Sequence, residues 1–198
     1  MCTGGDFAPG TLLAAYRRGI FPWPVGEDFV PWCSPDPRAI LALDERPRWS
    51  QSVRRALKKP FSVTIDRAFS QVMEACGQRD EGTWITSDLL AGYVALHELG
   101  WAHSLEVWNS HTGALAGGIY GIAIGAMFAG ESMFHRETDA SKVAFATIAD
   151  RLFDAGYAFL DAQMMTDHLA SLGCRPVPRP EFLKRLAEAV ARPRSFPE

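Results

Sequence analysis

Two polar residues late in the chain could act together. Asp161 and Gln163 stand at i and i+2 in the segment 157–163, which reads as a short strand, so regular alternation would point both side chains to one face. A glutamine carbonyl can accept a hydrogen bond from an amine N–H, and a nearby aspartate strengthens that polarisation. A third candidate is Glu131, the one charge within the glycine-rich apolar stretch 115–134. A carboxylate on a buried strand is costly unless it is paired or does chemistry. The alternative is a glutamate at a strand end that reaches solvent or an arginine. Two acids and an amide lining one cleft would suit a cationic or amine-bearing substrate.

Other chemistries find less support. No cluster of His, Cys or carboxylate has metal-ligand spacing, and GxSxG, HExxH and P-loop patterns are absent. Cys2, Cys33, Cys76 and Cys174 are scattered, form no CxxC pair, and read as reduced thiols of a cytosolic protein. None lies in an electropositive setting that would activate it, although a Cys–His pairing is left open by the sequence. His168 follows Asp167 on a short helix and reads as a hydrogen-bonding core histidine rather than a base.

The elements that must position these residues follow from periodicity. The stretch 115–134 splits at Gly125 into strands 116–124 and 126–134, apolar enough to need cover on both faces and so to lie mid-sheet. Further strands are expected at 39–43, 61–65, 103–108 and 157–163, with four or five running antiparallel through the middle. A first helix is expected from Thr11, ended by Gly19, with Leu12, Leu13, Tyr16 and Ile20 inward. Ser50, Asp66, Ser87 and Ser141 are candidate caps for helices 51–59, 67–76, 88–99 and 142–155. Helices at 166–172 and 181–191 complete the chain. Trp23, fixed between Pro22 and Pro24, is either a core anchor or a rigidly presented aromatic face. Arg54, Arg55, Lys58 and Lys59 share one face of helix 51–59 with no acid nearby, which suits phosphate contact; the alternative is a solvated surface.

The chain has 198 residues, enough for one large domain or one with a small companion, and 47% hydrophobic against 22% charged residues permits a sizeable core. The net charge of −3 excludes a molecule that binds nucleic acid by overall charge, so any such binding needs a local patch. No run reaches the roughly 20 apolar residues of a membrane span, and the N-terminus lacks the basic-then-apolar pattern of a signal peptide.

Several motifs then align in order along nearly the whole chain: GGDF at 4–7, YRRGIFPW at 16–23, WCSPDPRA at 32–39, EGTWIT at 81–86, GGIYGIAIGAMFAGESMF at 117–134 and LDAQMMTDHLASLG at 160–173. Together they closely resemble the leucyl/phenylalanyl-tRNA–protein transferases. The resemblance implies an α+β chain: a small N-terminal domain, 1–60, carrying the basic helix, then an acetyltransferase (GNAT)-like catalytic domain, 61–198, with a mostly antiparallel central sheet. It implies transfer of leucine or phenylalanine, methionine less well, from aminoacyl-tRNA to proteins beginning with arginine or lysine. The product is marked for N-end-rule degradation in the cytoplasm. No metal, ATP or other cofactor is implied, because the ester is already activated; a monomer without membrane partners is expected.

Position by position, the resemblance makes Asp161 and Gln163 the catalytic pair, with Gln163 expected to hold the α-amine and help draw off its proton and Asp161 to reinforce that, and Glu131 part of the acceptor site. Phe128, Ile119, Ile148 and Leu152 would line the donor pocket. Trp23 and Trp84 would meet the terminal adenosine, and Arg54, Arg55, Lys58 and Lys59 the acceptor stem. Ile148 and Leu152 stand where members carry aromatics, leaving the choice between leucine and phenylalanine open, and Cys33 stands where many carry tryptophan, which alters the stacking expected there. Two rival readings are an acyl-CoA-dependent N-acetyltransferase and a non-catalytic RNA-binding module. Against the first, the central strands lead into HRETDA and not a glycine-rich phosphate loop.

Overall fold

A computed structural model describes residues 2–25, 29–78 and 85–197. In chain order the elements are β1 (Cys2–Thr3), α1 (Pro9–Tyr16), β2 (Phe21–Pro22), β3 (Pro31–Cys33), β4 (Arg38–Ala42), α2 (Gln51–Ala56), β5 (Phe61–Ile65), α3 (Phe69–Gly77), α4 (Ser87–Glu98), β6 (Ala102–Asn109), β7 (Leu115–Ile124), β8 (Met127–His135), α5 (Ala140–Asp154), β9 (Phe159–Gln163), α6 (Asp167–Ser171), β10 (Arg175–Val177) and α7 (Arg179–Val190).

The apolar stretch forms β7 and β8, as its pattern requires. All ten residues of β7 are buried, because it lies inside a seven-stranded sheet ordered β10-β4-β9-β8-β7-β6-β5 with helices on both faces. One core takes side chains from α1, α3, α4 and α7; the other takes them from α2 and α5. Every pairing in the large sheet is antiparallel except that of β8 with β9. The chain is thus α+β with a mixed, mostly antiparallel central sheet, as expected.

The N-terminal unit has its own sheet, ordered β1-β3-β2. It ends before the expected division at residue 60. Strand β4 pairs with β9 and β10 in the large sheet, and Val53 and Ala56 of α2 share a core with Phe145 and Leu152 of α5.

Local chemistry accounts for the departures at helix starts. Asp66 does not cap α3; it adopts φ 57° and its carboxylate accepts the Ser104 N–H at 2.8 Å. The N–H groups of Arg67 and Ala68 are taken instead by Glu106, a buried carboxylate on β6 to which no sequence motif points. Thr86, one residue before the expected cap, accepts the Leu89 N–H and starts α4. Helix α5 begins at Ala140, after Asp139 in the left-handed region.

Two irregularities shape the centre. Where β7 faces β8, Tyr120 pairs with Ser132 and Gly121 with Gly130, so Glu131 is an extra, unpaired residue. Where β4 faces β9, Ala39 pairs with Gln163 and Ile40 with Asp161, so Ala162 is extra. Such bulges bend a strand and re-aim its side chains. The parallel pairing of β8 and β9 stops just before them, at Ala129–Asp161, and the two strands part beyond that point. Gly121 is required at this level: a methyl there would run into the Ala129 carbonyl oxygen and the Phe128 ring.

Candidate active site

A cavity of about 430 Å³ opens where β8 and β9 part. This is within the roughly 300–1,000 Å³ of ordinary small-molecule clefts. Gly130, Glu131, Ser132, Met133 and His135 come from β8, Leu160, Ala162 and Gln163 from β9, Ser141 and Phe145 from α5, and His168 and Leu169 from α6. Ile119 of β7 and Trp23 of the N-terminal unit also reach it. One wall is apolar, built from Ile119, Met133, Phe145, Leu160 and Leu169; a polar notch of Glu131 and Gln163 lies against it.

The notch is held by hydrogen bonds. Gln163 Nε2 donates to Glu131 Oε1 at 2.8 Å, and the Tyr93 hydroxyl donates to Glu131 Oε2 at 3.0 Å. The Tyr16 and Tyr93 hydroxyls lie 2.5 Å apart, within hydrogen-bond distance of each other. With Nε2 committed, the amide orientation of Gln163 leaves Oε1 as the acceptor available to a ligand. Burial pushes the Glu131 carboxyl up from 4.5 to about 7, against the stabilising bonds from Tyr16, Tyr93 and Gln163. Both tyrosine hydroxyls are themselves pushed well up by burial and stay neutral donors.

Gln163 adopts φ 63°, unusual for a residue with a side chain. Its N–H donates to Asp161 Oδ1 at 2.9 Å, which holds the turn. Arg38 grips the same carboxylate through Nε at 2.8 Å and Nη2 at 2.7 Å, both side chains being almost fully buried. The guanidinium lies between the Phe21 and Phe182 rings, 4.7 and 4.6 Å from their centres, and donates from Nη1 to the Gly19 carbonyl at 3.1 Å.

A family profile described as leucyl/phenylalanyl-tRNA protein transferase matches residues 40–187, and one described as the N-terminal domain of that transferase matches residues 5–36. The chain belongs to the leucyl/phenylalanyl-tRNA–protein transferase family. Proteins of that name from Nitrosomonas europaea and Stutzerimonas stutzeri are 47% and 48% identical over 197 residues, 98% of this chain and 82% and 86% of theirs. Among solved structures, the C-terminal domain of a protein described as a lysylphosphatidylglycerol synthetase from Agrobacterium fabrum matches with a TM-score of 0.52 at 10% identity. That match covers 86% of this chain and 64% of the other, a likeness of fold alone.

The positions expected from the leucyl/phenylalanyl transferase family do not all meet at the cavity. Glu131, Gln163, Ile119 and Trp23 meet at the cavity. Asp161 does not line it: the bulge at Ala162 breaks the alternation, so Asp161 turns to Arg38 while Gln163 turns to Glu131. Phe128, Ile148 and Leu152 are 1%, 1% and 0% exposed and lie beyond the cavity in the core. Phe128 precedes the bulge, under the still-paired part of β8 and β9, and Ile148 and Leu152 are further along α5 from the Ser141–Phe145 end that faces the opening. Met133, Phe145, Leu160 and Leu169 form the apolar wall instead.

Trp84 lies outside the described residues. Arg54, Arg55 and Lys58 are exposed, with no carboxylate partner among the described residues. Lys59 is not free like them: it pairs with Asp139 at 2.7 Å and donates to the Thr138 carbonyl at 3.0 Å. His168, expected in the core, is exposed and faces the cavity.

Proposed function

We propose that this chain, a tRNA-dependent aminoacyltransferase by its family, moves leucine or phenylalanine, with methionine a poorer donor, from aminoacyl-tRNA to the α-amine of proteins beginning with arginine or lysine. What supports this most is the Gln163–Glu131 notch set against an apolar wall. Glu131 receives the cationic side chain of the acceptor. Gln163 Oε1 accepts a hydrogen bond from its neutral α-amine and aims the nitrogen lone pair at the ester carbonyl. The donor's apolar side chain lies along Ile119, Met133, Phe145, Leu160 and Leu169, and Trp23 offers a face to the terminal adenine. The exposed Arg54, Arg55 and Lys58 contact phosphates of the acceptor stem.

Aminolysis of an activated ester is downhill, so alignment is the main task; orientation can supply roughly 7–11 kcal/mol. Ester activation leaves no step needing ATP or a metal. An apolar wall separates donors by only about 1–3 kcal/mol per methylene, so selection among apolar donors is loose. The product carries a bulky apolar N-terminus that marks it for degradation in the cytoplasm. The deciding experiment is transfer of radiolabelled leucine from charged tRNA to an Arg-ended peptide by the purified chain. No transfer, or equal transfer from aspartyl-tRNA, would overturn the proposal.

A further inference from the structure

Ester aminolysis has to move a proton. The attacking nitrogen must lose one as the C–N bond forms, and the ribose 3′ oxygen must gain one as the C–O bond breaks. Gln163 cannot carry it, because an amide oxygen accepts hydrogen bonds but is not a base near neutral pH. Asp161 cannot, because Arg38 holds it away from the cavity. Glu131 has both oxygens bonded, to Gln163 and Tyr93, and faces the acceptor's cation. The other titratable side chains lining the cavity are His135 and His168.

His168 is the better placed. It stands on α6, which follows Gln163 after a short turn and is pinned by Thr166 Oγ1 accepting the Leu169 N–H. Ser171 Oγ donates to its backbone carbonyl, while no described hydrogen bond or ion pair engages its ring. An imidazole held in the cavity wall with both nitrogens uncommitted is available to substrate.

Resting on the transferase reading above, we infer that His168 is the proton carrier of the transfer step. The amine nitrogen attacks the ester carbonyl carbon, and the imidazole takes one proton from the ammonium nitrogen of the tetrahedral adduct. The C–O bond then breaks, its electron pair stays on the 3′ oxygen, and that oxygen takes the proton back from the imidazolium. The products are the new amide and a free 3′ hydroxyl, with His168 neutral again. Partial desolvation against the cavity wall, then the charges of Lys142 on α5 and His135 on β8, lowers its pKa from 6.5, so at neutral pH it starts as the base this step needs. The acids about it are Asp167, its neighbour on α6, and Glu131 across the cavity.

The test is single-turnover transfer of leucine from leucyl-tRNA to an Arg-ended peptide, followed between about pH 5.5 and 8.5, the range in which histidine titrates. Because His168 is exposed, its variants should fold. Its replacement, His168→Gln, is expected to lower the rate by about 10²- to 10⁴-fold, leave KM for both substrates in place, and remove the histidine's share of the acid limb, so that only the parts set by Glu131 and by the acceptor α-amine remain. In His168→Ala, added imidazole should restore rate. A His168→Gln rate and profile like wild type, a loss confined to KM, or failure of imidazole rescue would overturn the assignment while the transferase reading stands. A wild type that transfers nothing would overturn both.

Discussion

Glu131 and Glu106 are both glutamates on inner strands of one sheet, and their surroundings give them different work. Glu106 takes hydrogen bonds from Thr64, Ser104, Arg67 and Ala68, which ties β5 and β6 to the start of α3. Glu131 opens to the cavity with its pKa raised to about 7. A carboxyl whose folded pKa exceeds its unfolded value makes the fold bind the extra proton. Its stabilisation is present below about pH 4.5 and is lost as pH rises through about 7. Glu131→Gln, which stays neutral, should therefore gain stability over wild type in alkali, and the gain should shrink towards acid. Urea unfolding at several pH values checks this. A bound guanidinium favours the ionised carboxylate, so KM for an Arg-ended peptide should fall as pH rises through about 7. Gln163→Ala removes the acceptor for the amine, and transfer should fall mainly in kcat; an unchanged kcat would remove Gln163 from the chemistry.

At the scale of elements, the two bulges decide which residues reach the site. Alternation made 126–134 and 157–163 legible as strands, and the structure has β8 and β9 there. It could not show that Glu131 and Ala162 are extra residues, because a bulge is defined by register with the partner strand and not by alternation along one strand; for Ala162 that partner, β4, is also remote in sequence. So Glu131 and Gln163 were found for their chemistry, while Asp161 was assigned to the wrong face. The basic helix shows the same limit. Its spacing put four cations together, and the start of α5 then claimed one through Asp139. Neutralising Arg54, Arg55 and Lys58 should weaken tRNA binding and flatten its salt dependence, by about 0.7–0.9 in slope for each phosphate that is no longer neutralised. Lys59→Gln should change that slope little, since its charge is spent on Asp139. Filter binding over a salt series separates the two.

For the whole molecule, Arg38 is the joint. It bonds Asp161 on β9 and Gly19 after α1, and lies between Phe21 of the N-terminal unit and Phe182 of α7. Replacing it with methionine would leave the Asp161 charge buried without a partner, which costs about 3–5 kcal/mol. Arg38→Met should lower the unfolding free energy by that order in urea. Arg38→Lys should rescue it only in part, because an ammonium cannot bond both carboxylate oxygens in the same planar fork.

Residue types, motif order and periodicity by themselves determined the family, the α+β class and the polar residues Glu131 and Gln163, since these depend on local pattern and on what each side chain can do. The tertiary structure decided which side chains face the cavity, which cation of the basic helix is paired, that Arg38 holds Asp161 while Asp161 holds the Gln163 N–H, and that His168 is exposed. Those outcomes depend on strand register and on partners up to 123 positions away in sequence, such as Arg38 and Asp161, and no local pattern carries that information.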